Sequence, residues 1–185
     1  MEKEMKITFK LSFDNYLEYN RIYSRIAVGK KLRSIFKVGL FVMIVGLCSL
    51  LIWLVQGFEN SVIALFGAVL SVFGLYLSLY AKVFFQLRLK REVTKKFKTS
   101  DYFKGERTVE LEEKRIITSS ESDSYCAVFA DDLKEVIETP NLFLVMVHGR
   151  RGIIIPKSAV EIKAFRELLR EITEQNNVRY RSIKR

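Results

Sequence analysis

Two uncharged apolar runs, Val38–Val55 and Ser61–Ala81, restrict what this chain can become more than any other feature. They read VGLFVMIVGLCSLLIWLV and SVIALFGAVLSVFGLYLSLYA, separated by QGFEN, and neither contains Asp, Glu, Lys, Arg or His. As helices of 18 and 21 residues they would be about 27 and about 32 Å long at roughly 1.5 Å per residue. A bilayer's hydrocarbon core is about 30 Å thick. The pattern predicts a helical hairpin that crosses a membrane twice. A soluble chain of 185 residues has no core large enough to cover two such helices. A cleaved signal peptide does not fit either. The first run lies behind a long polar segment, has no A-x-A-like site, and is followed at once by a second run.

Charge is distributed around the hairpin in one sense. The chain carries a formal net charge of +10. Lys30, Lys31, Arg33 and Lys37 precede the first run, and Lys82, Arg88, Lys90, Arg91, Lys95, Lys96 and Lys98 follow the second. The connecting stretch holds one acid, Glu59, and no base. Lys and Arg close to spans mark the cytoplasmic side, so both termini are expected in the cytoplasm of a cell (inner or plasma) membrane protein. Nucleic acid is not the expected partner, because the bases crowd the ends of the apolar runs. The expected partners are the bilayer with its anionic lipids, and a protein partner or a second copy of the chain. Residues 82–98 hold no Gly or Pro and predict a basic helical stalk. Its Arg88, Lys90, Arg91, Lys95, Lys96 and Lys98 are the candidate contacts to anionic lipid.

Small residues recur within the runs. Gly67, Ser71, Gly74 and Ser78 share one helical face of the second, and Gly39, Gly46 and Ser49 lie near one face of the first. Such faces let helices approach closely. The expectation is packing of the two helices on each other rather than a dimer seam. Trp53, Tyr76 and Tyr80 lie towards the run ends, where amphipathic rings favour the membrane–water boundary. No ionisable residue interrupts either run, which argues against an ion pathway.

The polar flanks read as a small α+β domain. Residues 5–13 alternate, with Ile7, Phe9, Leu11 and Phe13 on one face, and predict a strand that needs a sheet to join. Asp14 and Asn15 are candidate caps for a helix over 16–28, with Tyr16, Tyr19, Tyr23 and Ile26 on one stripe. Beyond the stalk, strands are expected over 106–112, 116–119, 125–129, 133–139, 142–147 and 153–155. Between them come a turn at 113–115, the loop SSESDS over 119–124, a break at Asp131–Asp132 and a turn at Pro140–Asn141. Val109 and Leu111 should point inwards. The stretch His148–Gly152 reads as a hairpin loop whose glycines need unusual dihedral angles. Ser158 and Glu161 form an S-x-x-E capping box before an amphipathic helix that buries Ile162, Phe165, Leu168, Leu169 and Ile172. VRYRSIKR is expected to be a basic tail.

This order predicts an α+β membrane protein: a two-helix transmembrane hairpin with a small cytosolic antiparallel β domain, pleckstrin-homology-like and closed by a C-terminal helix. The expected segments are 1–34 for the N-terminal strand and helix, 35–82 for the hairpin, 83–102 for the stalk and 103–185 for the domain. From about Gly105 to Leu169 the chain resembles the YcxB-like family of bacterial membrane proteins. The resemblance rests on EVIET, on LFLVMV, and on IIPKSAV leading into FRELL. Phe129 and Val160 depart from it, where Trp and an aromatic residue are expected. The resemblance implies a membrane anchor and a pleckstrin-homology-like domain, and no activity.

Catalytic chemistry has little to stand on. His148 is the only histidine and sits on an expected loop beside Arg150 and Arg151, where solvation explains it better than general base chemistry. Asp131 and Asp132 lack further ligands at useful spacing. Cys48 and Cys126 make neither a disulfide framework nor a metal spacing. No Walker, Rossmann or nucleophile-elbow pattern occurs. No enzyme activity, cofactor or metal is expected. The expected function is a membrane-anchored interaction or sensory module. The other class is an oligomerising accessory protein for membrane integrity or transport.

Overall fold

The computed structural model describes residues 5–57, 61–100, 103, 105–112, 115–120, 123–129, 132–148 and 152–183; at 120, 123–127 and 129 it describes the backbone only. The chain divides into two compact units. One comprises residues 1–19 and 94–185, and the other residues 20–93.

The first unit contains two four-stranded sheets. Strand β1 (Met5–Phe9) pairs antiparallel with β2 (Arg107–Leu111), which continues through β3 (Arg115–Ser120) to β4 (Asp123–Phe129). The expected partner for the N-terminal strand is thus β2, with Ile7 opposite Val109 and Met5 opposite Leu111. Ile7, Phe9, Val109, Leu111, Ile116 and Val128 are buried. The alternation that predicted β1 is therefore the alternation that fills this face of the core. The second sheet has the order β7-β6-β5-β8. Its antiparallel part is β5 (Leu133–Glu138), β6 (Leu142–Val147) and β7 (Ile153–Pro156). All six residues of LFLVMV are buried, so β6 is covered on both faces. Helix α4 (Ile162–Gln175) covers one of them, with Phe165 tilted against Phe143 at 5.0 Å between ring centroids.

Several local expectations need correction. The first helix, α1, begins at Phe13 and runs unbroken to Val55. Ser12, not Asp14 or Asn15, caps it: its Oγ accepts the Asn15 N–H at 3.2 Å. The SSESDS loop is shorter than expected, because β3 reaches Ser120 and β4 starts at Asp123 across a register shift near Thr118. Glu113, Lys114, Glu121, Ser122 and Asp131 lie outside the described residues. At the His148 hairpin, Gly149 also lies outside them. Gly152 does not adopt a left-handed backbone; a Cβ there would meet Met146 Sδ and the Val145 carbonyl at 2.8 Å. Close approach, not dihedral freedom, explains this glycine. Ser158 lies inside a 3₁₀ turn, Lys157–Ala159, and caps nothing. Val160 and Glu161 are extended, at φ −135° and ψ 153° and at φ −73° and ψ 104°, so the helix starts only at Ile162. Phe165, Leu168, Leu169 and Ile172 are buried as expected, but Ile162 is exposed.

The largest difference is at the end of the chain. Arg179–Ser182 is not a tail but a strand, β8, parallel to β5. Asn177 makes this possible. It takes a left-handed conformation at φ 51°, with Val178 N–H donating to the Thr173 carbonyl at 2.8 Å and Asn177 N–H to Glu174 at 3.3 Å. This is a Schellman termination, and it turns the chain back along the sheet. The expected C-terminal helix therefore lies between two strands.

An aromatic cluster holds α1's first turns in the same unit. Tyr16 lies 4.4 Å from Phe103 and 6.3 Å from Phe97, and Phe13 meets Phe97 edge-on at 5.5 Å. The Tyr19 hydroxyl accepts the Gly152 N–H at 3.1 Å, and Asn141 donates to Glu18 at 2.9 Å.

The second unit is a helical hairpin. The rest of α1 packs against α2 (Ser61–Leu79). Gly57, at φ 72°, closes the end of α1 in a conformation that favours glycine. The small residues meet within the hairpin. A Cβ on Gly46 would lie 2.5 Å from Ser71 Oγ and 2.7 Å from the Gly67 carbonyl, and one on Gly39 would lie 2.8 Å from Ser78 Oγ. Intramolecular packing is the use these glycines have. Ser71 and Ser78 donate back to the carbonyls of Gly67 and Gly74 at 2.7 and 2.9 Å, so no hydroxyl in this seam needs an outside acceptor. After α2 the helix widens into a π turn, Tyr80–Phe84, closed by Phe85 N–H to the Tyr80 carbonyl. It resumes as α3 (Phe85–Thr99).

Candidate functional site

The six basic residues singled out from sequence all lie on α3 and are exposed. Arg88, Arg91, Lys95 and Lys98 follow at i, i+3, i+7 and i+10, which a helix gathers on one stripe. Val93 is buried on the other side of the helix. Arg88 is already engaged: its Nε donates to Glu92 Oε1 at 2.9 Å, one turn on. An exposed pair of this kind contributes little to stability. The helix thus presents the bases without bringing them together in a pocket.

A second constellation was not read from the sequence. Glu138 closes β5 and is buried, with 5% of its surface exposed. Its Oε1 accepts Lys157 Nζ at 2.7 Å and Arg166 Nη2 at 2.6 Å, and its Oε2 accepts Arg166 Nε at 3.1 Å and the Tyr180 hydroxyl at 2.6 Å. Four elements supply this set: β5, the 3₁₀ turn, α4 and β8. Burial opposes ionisation of Glu138. The hydrogen bonds from Arg166, Lys157 and Tyr180 outweigh it and hold the carboxyl down at about 2. Burial, then the hydrogen bond to Glu138, push the Tyr180 phenol well above its ordinary value. The Arg166 guanidinium is held up chiefly by its hydrogen bond to Glu138. Lys157 also lies over the Phe143 ring at 5.0 Å, and Arg170 over the Tyr180 ring at 5.4 Å. Both carboxylate oxygens are taken up by this chain's own donors. The arrangement is chemically a staple, with no nucleophile or open coordination position. The one sequence signal was an acid at the end of an otherwise inward-facing strand, Val136-Ile137-Glu138.

Residues 111–169 match the family model described as YcxB-like protein, so the chain carries a YcxB-like domain over that stretch. No curated protein and no solved structure matches the chain. The matched stretch runs from the last residue of β2 into α4 and is about a third of the chain. It contains three of the four partners in the staple: Glu138 in EVIET, Lys157 in IIPKSAV and Arg166 in FRELL. Three short motifs that are separate in sequence meet at one carboxylate. Tyr180 lies beyond the match, as do β1 and β8, each at the edge of its sheet.

Proposed function

We propose that this is a two-span membrane protein whose YcxB-like domain faces the cytoplasm and acts as a membrane-anchored interaction or sensory module. The observation that carries the reading is the outward apolar surface of the hairpin. Phe41, Leu51, Leu65, Phe66 and Val72 are each more than 60% exposed, and only 11% of the most apolar stretch of each long helix is buried. Soluble monomers rarely leave an apolar patch larger than a few hundred Å² in water, whereas a bilayer covers such a surface at no cost. The domain is read as pleckstrin-homology-like in its two small sheets and single amphipathic helix, with β8 as an addition after that helix. The basic residues of α3 are read as contacts to anionic lipid.

Alkaline extraction of membranes, followed by crosslinking in native membranes and mass spectrometry, tests this. Retention in the pellet and recovery of a soluble partner through residues 103–175 support it. Release by alkali refutes the membrane reading. Recovery of the chain crosslinked only to itself favours an oligomerising accessory protein, although the glycine–serine seam that would serve oligomerisation is used within the hairpin.

A further inference from the structure

The charge of this chain is concentrated in its most apolar unit. Residues 20–93 hold ten Lys or Arg against two acids, Glu59 and Glu92, and so carry eight of the ten net positive charges. Glu92 is paired with Arg88. Glu59 belongs to the stretch joining the two apolar runs, away from the bases in sequence. The ammonium of Lys82, in the π turn, lies 5.0 Å from the centroid of the Phe36 ring on α1. This contact puts the start of the first apolar run beside the end of the second. On α1, Arg33 is three residues before Phe36 and Lys37 is four residues after Arg33, so the three share one helical stripe. Arg33, Lys37 and Lys82 are exposed. Gly39 meets Ser78 at the same level and fixes the spacing of the helices there. Around it, the Tyr76 ring lies 6.4 Å from that of Tyr80 and 6.5 Å from that of Phe84, centroid to centroid, the kind of aromatic cluster that settles at a headgroup boundary.

We infer that Arg33, Lys37 and Lys82, arranged around Phe36, form a binding site for the phosphate of an anionic lipid headgroup. The occupant is a lipid and not a soluble anion because the charges stand where the apolar surface ends. A phosphate seated among them leaves its acyl chains along Leu40 and Phe84, both exposed. Like charges on one stripe of α1 and on the facing π turn repel, and an anion among them relieves that repulsion. The ring holds Lys82 in place before the lipid arrives, which lowers the ordering cost of binding. The π turn matters here because it shifts the register of the helix at Lys82 relative to α2. This site rests on the membrane reading above and is distinct from the basic stripe of α3.

The full-length chain, reconstituted in phosphatidylcholine vesicles containing a minor share of phosphatidylglycerol, is extracted in mild detergent, and the retained lipid is measured by mass spectrometry. Retained lipid should be enriched in phosphatidylglycerol. The Arg33→Gln/Lys37→Gln/Lys82→Gln variant should lose that enrichment, by about fivefold per charge at low salt. Phe36→Leu, which keeps every charge, should lower it. Lys95→Gln/Lys96→Gln/Lys98→Gln should leave it in place. Equal retention of both lipids by the unaltered chain, or loss to the same extent in both triple variants, overturns the site. Displacement of the lipid by excess inorganic phosphate overturns it too, since a free anion would then be the occupant. Failure of the unaltered chain to resist alkaline extraction removes the membrane reading itself, and the site with it; enrichment lost in no variant removes the site alone.

Discussion

The Tyr180 hydroxyl donates to Glu138 Oε2 across 2.6 Å, and by this bond the last strand is fastened to the sheet it joins in parallel. Glu138 also holds Arg166 of α4 and Lys157 of the preceding turn. Removing the carboxylate strands two cations at once, whereas removing the phenol loosens only β8. The two changes should therefore differ in kind as well as size.

Glu138→Gln should destabilise the domain by about 3 kcal/mol, the low end for breaking a buried pair, because Arg166 keeps a third of its side chain in water. Tyr180→Phe should cost about 1.5 kcal/mol, the loss of one hydrogen bond to a charged acceptor. Thermal melting of the full chain in detergent measures both. Limited proteolysis separates them: Tyr180→Phe should expose the chain after Asn177 while α4 stays protected, and Glu138→Gln should expose α4 as well.

The same cluster sets a pH dependence on both sides. The Glu138 carboxyl has its value lowered from 4.5 to about 2 on folding. Its contribution is present above about pH 4.5 and is lost as the pH falls towards 2. The Tyr180 phenol is raised above 10. Its contribution is present below pH 10 and is lost at more alkaline pH, as the phenol is forced to ionise. Melting temperature against pH should fall on both limbs. Glu138→Gln should flatten the acid limb, and Tyr180→Phe the alkaline limb. An acid limb unchanged in Glu138→Gln would assign it to other carboxylates.

How far the sequence revealed these features depended on whether a signal was local. The hairpin and β6 were legible as unbroken apolar runs, and β1 and the buried face of α4 as apolar repeats with period 2 and 3.6. Gly39, Gly46, Gly67 and Gly74 were legible as a seam for the same reason. The staple was not, because Glu138, Lys157, Arg166 and Tyr180 come together only through tertiary contacts. β8 was hidden by its composition. Arg179 and Arg181 face outwards on either side of Tyr180, and a four-residue strand with one inward side chain looks like a basic tail. The Asn176–Asn177 pair was the available clue, since Asn tolerates the left-handed turn that Asn177 makes. At Ser158, the extended backbone of Val160 (φ −135°, ψ 153°) and Glu161 defeated the capping box, because both residues would have to be helical for it to form.

Two glycines of α1 should respond in opposite directions. A Cβ at Gly29 meets only Arg25 Cγ at 3.5 Å, an ordinary contact. Gly29→Ala should therefore stabilise the helix by about 0.5–1 kcal/mol through propensity. A Cβ at Gly46 meets Ser71 and the Gly67 backbone at 2.5 to 2.7 Å, and the backbone cannot yield cheaply. Gly46→Ala should cost about 1–3 kcal/mol. Melting in detergent at several protein concentrations checks this. A cost that depends on concentration would point to a seam between copies.

The N-terminal strand should be indispensable to the domain. Leu11 is buried with 2% of its surface exposed, and β1 pairs with β2 along five residues. Leu11→Ala should cost about 2–5 kcal/mol. Ile7→Asp, which buries a charge opposite Val109, should cost more. Both should speed proteolysis within β2–β4, the sheet that β1 completes. Protection of β2–β4 unchanged in Ile7→Asp would show that the sheet stands without β1.

The orientation of the hairpin follows from where its charges lie. Six bases stand in α1 between Asn20 and Val38, seven stand between Lys82 and Lys98, and none lies between Gln56 and Asn60. Transfer of either basic end across a bilayer is far costlier than transfer of a five-residue connection with one acid. Both termini should therefore lie in the cytoplasm, with residues 56–60 outside. A Cys-free background carrying either Asn60→Cys or Ser182→Cys allows a direct reading. Ser182 is exposed on β8, so its thiol is open to reagent on whichever side it lies. A membrane-impermeant maleimide should label Asn60→Cys in intact cells, and Ser182→Cys only after lysis. The reverse pattern would put the domain outside and remove the cytoplasmic reading. Labelling of both in intact cells would mean that the apolar surface of the hairpin is covered by something other than a bilayer crossed twice.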